Sequence, residues 1–311
     1  MSVEPPTTMS AWAQAARDAA QARGLNPTGL RSLRVHGPGI FLLSPDDIVA
    51  RVTPRTPTYE ARARRAAATT SALAATGFGC TRPIWAEPTL LGSAVVTFWQ
   101  YYPQPDGPDS AQSPRALVEA LADLLRDLHT WTGSLPDLEP VRPLARLLGA
   151  LETDDVRDAP ALRPHERGYL TERITGVQAG WDNIESALGW GLIHNDAHRG
   201  NLLITGTTPQ TYVLTDWDGV GLGPREIDLV QEGVPCGKFT LPEPLRLAFS
   251  HRYGFDLAEW PGHAVLREAR QLHSLAAFIR LAPDKPAAAT ELHSRLADLI
   301  EQQPHAWHAV R

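Results

Sequence analysis

Apolar and polar positions alternate in short runs over the first hundred residues and then recur at helical spacing over most of the rest. Ser10 opens an alanine-rich stretch that predicts a helix to about Arg23, with Gly24 as its stop. Short apolar runs at Leu33–His36, Ile40–Leu43 and Ile48–Val52 predict strands. They are separated by Gly37-Pro38-Gly39 and by the turn Ser44-Pro45-Asp46-Asp47. Thr58–Ala75 reads as an alanine- and arginine-rich helix closing at Gly77. After Pro83–Trp85 and a break at Glu87-Pro88, Ala94–Trp99 predicts a further strand. Three strands, a helix and more strands make a small α+β lobe.

The stretch Tyr101–Pro114, rich in Pro, Gly and Asp, is the linker candidate. Beyond it, Leu117, Leu121, Leu124, Leu125 and Leu128 form the apolar stripe of a core-facing helix. A second helix is expected over Arg167–Leu188, and two or three more between Leu241 and Gln302. One β-rich island, Gly191–Asp218, interrupts this helical region.

Composition narrows the class. At 311 residues the chain can hold two lobes, each with its own core. No apolar run approaches the roughly 18 residues of a membrane helix. Met1–Ser10 has neither the basic cluster nor the apolar core of a secretory signal. Cys80 and Cys236 lie far apart and offer no disulfide framework, so a cytoplasmic, reducing setting is expected. A net charge of −6 argues against a nucleic-acid partner, whose phosphates call for clustered cations. Among the 29 basic residues only Lys238 and Lys285 are lysines, which matters below.

The candidate chemistry sits in the island. It runs Gly191-Leu-Ile-His194-Asn195-Asp196-Ala197-His198-Arg199-Gly200-Asn201, continues as an apolar strand to Ile204, and resumes at Thr211 to end in Asp216-Trp217-Asp218. An apolar strand thus delivers polar groups to a loop, and a later strand ends in carboxylates. Phosphoryl transfer asks for that inventory: one carboxylate beside the attacking hydroxyl, and hard oxygen ligands to hold Mg²⁺ against a triphosphate. A lone Asp at a strand end is usually a turn residue or a cap. Asp196, Asn201 and Asp216 together, with His194 ahead of them, favour the chemical reading.

This segment resembles the catalytic loop and metal-binding strand of the aminoglycoside phosphotransferase family, a protein-kinase-like superfamily that includes choline kinases. The pattern His-x-Asp-x-x-x-x-Asn followed by an Asp is met by His194, Asp196, Asn201 and Asp216, with His198 and Gly200 in their usual places. Gly221-Leu-Gly223 and Asp228-Leu229 echo later family positions, and Val95–Tyr102 echoes the hinge strand. The resemblance implies an α+β, bilobal, protein-kinase-like fold, with an antiparallel-sheet nucleotide-binding lobe over 1–100 and a mainly helical catalytic and acceptor lobe over 101–311. It implies transfer of the γ-phosphoryl of ATP or GTP to a hydroxyl of a small molecule: an aminoglycoside, another antibiotic, a nucleoside or a sugar-like acceptor. Asp196 becomes the catalytic carboxylate, and Asn201 and Asp216 become Mg²⁺ ligands. Asp218 becomes an outer or substrate-side group, and Asp228 a brace for the catalytic loop. His194 is expected to brace the loop, and His198 to serve structure or substrate. Main-chain groups from Phe98 through Gln100 and Tyr101 would hold the base.

Two departures stand against that pattern. Such folds place a phosphate-binding lysine on the third strand, but Arg51 occupies the position here, in Ile48-Val-Ala-Arg-Val52. Arginine binds phosphate with a planar fork rather than a point charge. Glu60 is the candidate acidic partner for Arg51 on the following helix, and the glycine loop holds only Gly37 and Gly39. These departures motivate a rival reading, a nucleotide-binding pseudokinase with a regulatory role. A weaker rival is a metal-dependent phosphoesterase using His194, Asp196 and His198, which alternate along the chain.

Overall fold

The computed structural model describes residues 9–34, 39–44, 46–105, 112–134, 137–207, 210–234 and 241–301. In chain order the elements begin with α1 (Met9–Ala22), β1 (Arg31–Arg34), β2 (Gly39–Leu43), β3 (Ile48–Pro54) and α2 (Pro57–Ala75). β4 (Thr89–Leu91), β5 (Ala94–Gln100), α3 (Pro114–Thr130), α4 (Ala145–Asp155) and α5 (Pro164–Asp182) follow. Next come β6 (Trp190–Ile193), β7 (Leu202–Thr207), β8 (Gln210–Leu214), β9 (Gly221–Pro224) and α6 (Val230–Gly233). The chain closes with α7 (Glu243–Tyr253), α8 (His263–His273), α9 (Ala276–Leu281) and α10 (Pro286–Glu301). Two compact units result: residues 1–139 with 194–221, and residues 140–193 with 222–311. By packing, residues 101–139 and 194–221 belong with the first unit, which therefore does not end at residue 100.

The first unit is built on an antiparallel sheet of order β1-β2-β3-β5-β4. Strand alternation assigns its two faces. Ile48, Ala50 and Val52 of β3 point to one face with Ala94, Val96 and Phe98 of β5, and there they pack under Ala16, Ala19 and Ala20 of α1. Small side chains on α1 let the helix lie close to the sheet. Val49, Arg51 and Trp99 therefore point the other way, with Arg51 opposite Thr97 in the register. Thr56 caps α2 by accepting the Tyr59 N–H, and Pro57 fills its first position, where no N–H is needed. The buried face of α2 is small: Ala63, Ala66, Ala67, Thr69, Thr70 and Leu73.

Residues 79–81 tie this sheet to the β7–β8 hairpin. The Leu214 N–H donates to the Gly79 carbonyl (2.9 Å), and the Thr81 N–H donates to the Leu214 carbonyl (3.0 Å). A Cβ on Gly79 would lie 3.0 Å from the Tyr212 carbonyl and 2.8 Å from Leu124 Cδ2, so the close approach requires glycine. On α3 the buried seam is Val118, Leu121, Ala122, Leu125, Leu128 and His129, so Leu117 and Leu124 flank it at half burial.

The second unit is mainly helical, with α4, α5, α8, α9 and α10 sharing a core of Leu147, Leu170, Leu275, Ile279, Leu292 and their neighbours. Three expectations change here. The helix α4 was not anticipated. Four helices rather than two or three lie between 241 and 301. The helix α5 stops at Asp182, short of Leu188, because Glu226 captures the chain beyond it: the Leu188 N–H (2.8 Å) and the Ser186 hydroxyl (2.7 Å) both donate to its carboxylate. His36, Gly37, Pro38, Cys236 and Lys238 lie outside the described residues, and Gly39 opens β2.

Burial pushes the Cys80 thiol up to about 12 from an ordinary 9.0, with the nearby Arg82 charge opposing. A raised folded-state pKa means the thiol's contribution is intact below pH 9 and is lost as pH climbs through about 12. Denaturant unfolding across that window should show a steeper decline for the native chain than for Cys80→Ala. Parallel profiles would contradict this account of Cys80.

Candidate active site

The loop between β6 and β7 is held by its own polar groups. His194 is fully buried, its Nε2 donating to the Thr215 carbonyl (3.0 Å) and its ring packing edge-on against Trp217 at 4.7 Å. Asn195 turns the chain with φ 62°, a left-handed conformation that Asn tolerates, and donates Nδ2 to the Gly219 carbonyl (3.2 Å). A Cβ on Gly219 would sit 3.1 Å from the His194 carbonyl, so this contact also favours glycine. His198 caps the short turn Arg199–Asn201, its Nδ1 accepting the Gly200 N–H (3.0 Å).

Asn201 then closes the loop. Its Nδ2 donates to the Asp196 carbonyl (3.0 Å), while its own main-chain carbonyl accepts the Thr215 N–H (2.9 Å). This ties Asp196 to the residue preceding Asp216. The amide nitrogen is committed to Asp196, so the amide oxygen is the end of the Asn201 side chain that could serve a cation. Asp216 adopts φ 64° and carries a carboxylate that is 39% exposed. The turn Trp217–Gly219 follows, anchored by Trp217 Nε1 on the Leu214 carbonyl (2.8 Å).

Arg51, Asn201, Asp216 and Asp218 line one cavity of about 500 Å³ within the first unit, together with Gln100 and Tyr101. Its apolar walls include Leu33, Ile40, Val49, Trp99 and Leu203. Arg51 makes a two-pronged ion pair with Asp218 through both terminal nitrogens, and lies 3.7 Å from Asp216. Burial pulls the Arg51 pKa down, but the charge and hydrogen bonds of Asp218, with help from Asp216, outweigh it and hold the guanidinium above its ordinary range. Arg51 is charged at every accessible pH.

Other expected positions fall elsewhere. Glu60 pairs with Arg55 (2.9 Å), not with Arg51, because it sits in the first turn of α2 beside the end of β3. The side chain of Phe98 points to the α1 face of the sheet, and its carbonyl accepts the Ile84 N–H (2.8 Å). The N–H groups of Gln100 and Tyr101 donate to the carbonyls of Arg82 (2.9 Å) and Asp47 (3.0 Å). Asp228 is buried in the second unit. Neither Asp196 nor His198 belongs to the cavity lining, although Asp196 is bonded to Asn201, which does. Sequence reasoning missed Arg31 and the apolar walls. Their signal was available in strand alternation, which puts Arg31 with Leu33, and Val49 with Arg51, on one face.

Asn201 and Asp216 both line this cavity and carry hard oxygen donors, the kind of group that could hold a magnesium ion. The hydrolase reading would need His194, Asp196 and His198 on one metal, and none of the three lines this cavity. Among the described residues, no three His, Cys, Asp or Glu side chains gather as a metal-binding group.

The model of the phosphotransferase enzyme family matches residues 39–268, most of the chain and all of the site except Arg31 and Leu33. The chain belongs to that family. The phosphotransferase resembles a choline/ethanolamine kinase family protein from Mesorhizobium loti at 19% identity and TM-score 0.63, over 94% of this chain and 95% of that one. It also resembles APH(2")-IIia, solved with GDP and kanamycin, at 17% identity and TM-score 0.61, over 93% and 98% of the two chains. A microcompartment-associated aminopropanol kinase matches at 17% identity and TM-score 0.62, over 94% and 99%. At these identities the likeness establishes a kinase-like fold. Among curated proteins no sequence matches. No helix among the described residues is long and apolar enough to cross a membrane.

If His194 braces the loop, His194→Ala should lower unfolding stability by about 2–4 kcal/mol, through a cavity and an orphaned Thr215 carbonyl. The urea midpoint measures this, and an unchanged midpoint would contradict the bracing role.

Proposed function

We propose that this phosphotransferase moves the γ-phosphoryl of ATP or GTP to a hydroxyl of a small molecule, with aminoglycosides, amino alcohols and sugar-like natural products as the acceptor classes. The observation that carries the reading is the meeting of Arg51, Asn201 and Asp216 on one cavity, with Asp196 bonded to Asn201. Nucleotide and aminoglycoside in the complex of the related APH(2")-IIia support the donor and acceptor classes.

On this reading residues 1–100 form the nucleotide-binding lobe and residues 101–311 carry catalytic and acceptor groups. The base lies between Ile40, Val49 and Leu203, with its edge toward the chain at Gln100 and Tyr101. Arg51 faces the phosphates, and Arg31 stands in the register row of Val49 and Trp99, on the base side. Asn201 and Asp216 hold Mg²⁺, which neutralises charge on the phosphoryl oxygens when bound. Asp196 orients the acceptor hydroxyl and takes its proton on a carboxylate oxygen. The hydroxyl oxygen bonds to the γ-phosphorus, the bond from that phosphorus to the bridging oxygen breaks, and the nucleoside diphosphate leaves. His194 and His198 shape the loop, and Asp228 is assigned its bracing role by family analogy.

Incubation with Mg²⁺ and ATP or GTP across a panel of hydroxylated amines and sugars should release nucleoside diphosphate only with an acceptor present. Asp196→Ala should lower that turnover by roughly 10²–10⁴ while nucleotide affinity persists. Nucleotide binding without turnover on any acceptor would favour the pseudokinase reading, and full activity in Asp196→Ala would remove Asp196 from the chemistry.

A further inference from the structure

Arg51 lies on β3, a strand paired on both sides, so its backbone is fixed while its long side chain still needs a partner to aim it. The helix beside it provides none. The only carboxylate on α2, Glu60, belongs to Arg55, and the helix shows the cavity Ala66 where an acid would have to stand. Alanines at 63, 66 and 67 have a second consequence: α2 packs directly on the Trp217–Gly219 turn. That contact brings Asp218 to the guanidinium, and the carboxylate takes both terminal nitrogens in a fork. Asp218 is itself well covered, with a side-chain exposure of 13%.

We propose that Asp218 is the positioning residue that aims Arg51 at the nucleotide phosphates, in place of an acid on α2. The proposal rests on the phosphotransferase reading and assigns the part of the site that reading left open. A fork to one carboxylate uses two of the five guanidinium N–H groups, and the remainder stay in a fixed plane for phosphate oxygens. An ammonium has three donors on a flexible stem and gains no such plane from the same carboxylate. The pairing therefore accounts for an arginine at this position and an alanine at 66 together. Asp218 touches neither phosphate nor metal in this role and acts through Arg51.

Calorimetric titration of ATP, GTP and the bare nucleosides into native chain, Asp218→Asn, Arg51→Lys and the double variant tests it, each with Mg²⁺ and in EDTA. Asp218→Asn should weaken triphosphate affinity about tenfold in both conditions while nucleoside affinity holds. The double variant should bind no worse than the weaker single one. Three results would overturn the role: equal losses for nucleoside and triphosphate, a loss seen only with Mg²⁺, or additive losses in the double variant. If Asp218→Asn does not fold, Asp218→Glu carries the same comparison, because it keeps the charge and displaces it by one methylene. Failure of the native chain to bind any nucleotide would instead defeat the phosphotransferase reading, and this role with it.

Discussion

Asn201 joins two stretches of chain that must sit together for any chemistry here. Its amide donates to the Asp196 carbonyl, and its main-chain carbonyl accepts from Thr215, one residue before Asp216. This double tie is one of several that hold the loop after β6 against the end of β8. The neighbouring contacts serve the same end. His194 reaches the Thr215 carbonyl from the loop side, and Asn195 reaches the Gly219 carbonyl beyond it. Asn195 and Asp216 both hold left-handed backbone, which costs of order 1 kcal/mol each and persists because these hydrogen bonds over-determine the loop.

Around that knot, small side chains decide what can approach. Alanines on α1 bring it down on one face of the sheet, and alanines on α2 bring it onto the Asp216–Gly219 turn. Gly79 lets the 79–81 segment run against β8. The alternation of β3 then sends Arg51 into the cavity, while its neighbours Ala50 and Val52 remain in the core. On the proposed reading, a cation on a fixed strand, two carboxylates on a fixed turn and an amide tied to Asp196 would need little rearrangement to receive a magnesium triphosphate.

The α+β class was legible from the first strands and the leucine stripe of α3, and the candidate site from the run His194–Asn201 with Asp216. Those residues lie within a short stretch of chain, where spacing alone brings them together. The partner of Arg51 was not legible, because Asp218 is 167 residues away and the choice between it and Glu60 depends on how closely α2 packs. Only the alanines hinted at it. The end of α5 was also hidden, since a carboxylate 38 residues downstream, Glu226, captures the Leu188 N–H. The hinge expectation concerns main-chain groups, and the sequence does not show which of them are already bonded: the Phe98 carbonyl accepts the Ile84 N–H, and the Gln100 N–H donates to the Arg82 carbonyl.

The central claim is that Asn201 and Asp216, tied to Asp196, form one metal–triphosphate site. Electron paramagnetic resonance of Mn²⁺ titrated into the chain with a non-hydrolysable triphosphate tests it most directly. The account predicts one tightly bound Mn²⁺ per chain that depends on the nucleotide and is lost in both Asn201→Ala and Asp216→Ala. Mn²⁺ binding that survives either substitution unchanged would contradict it.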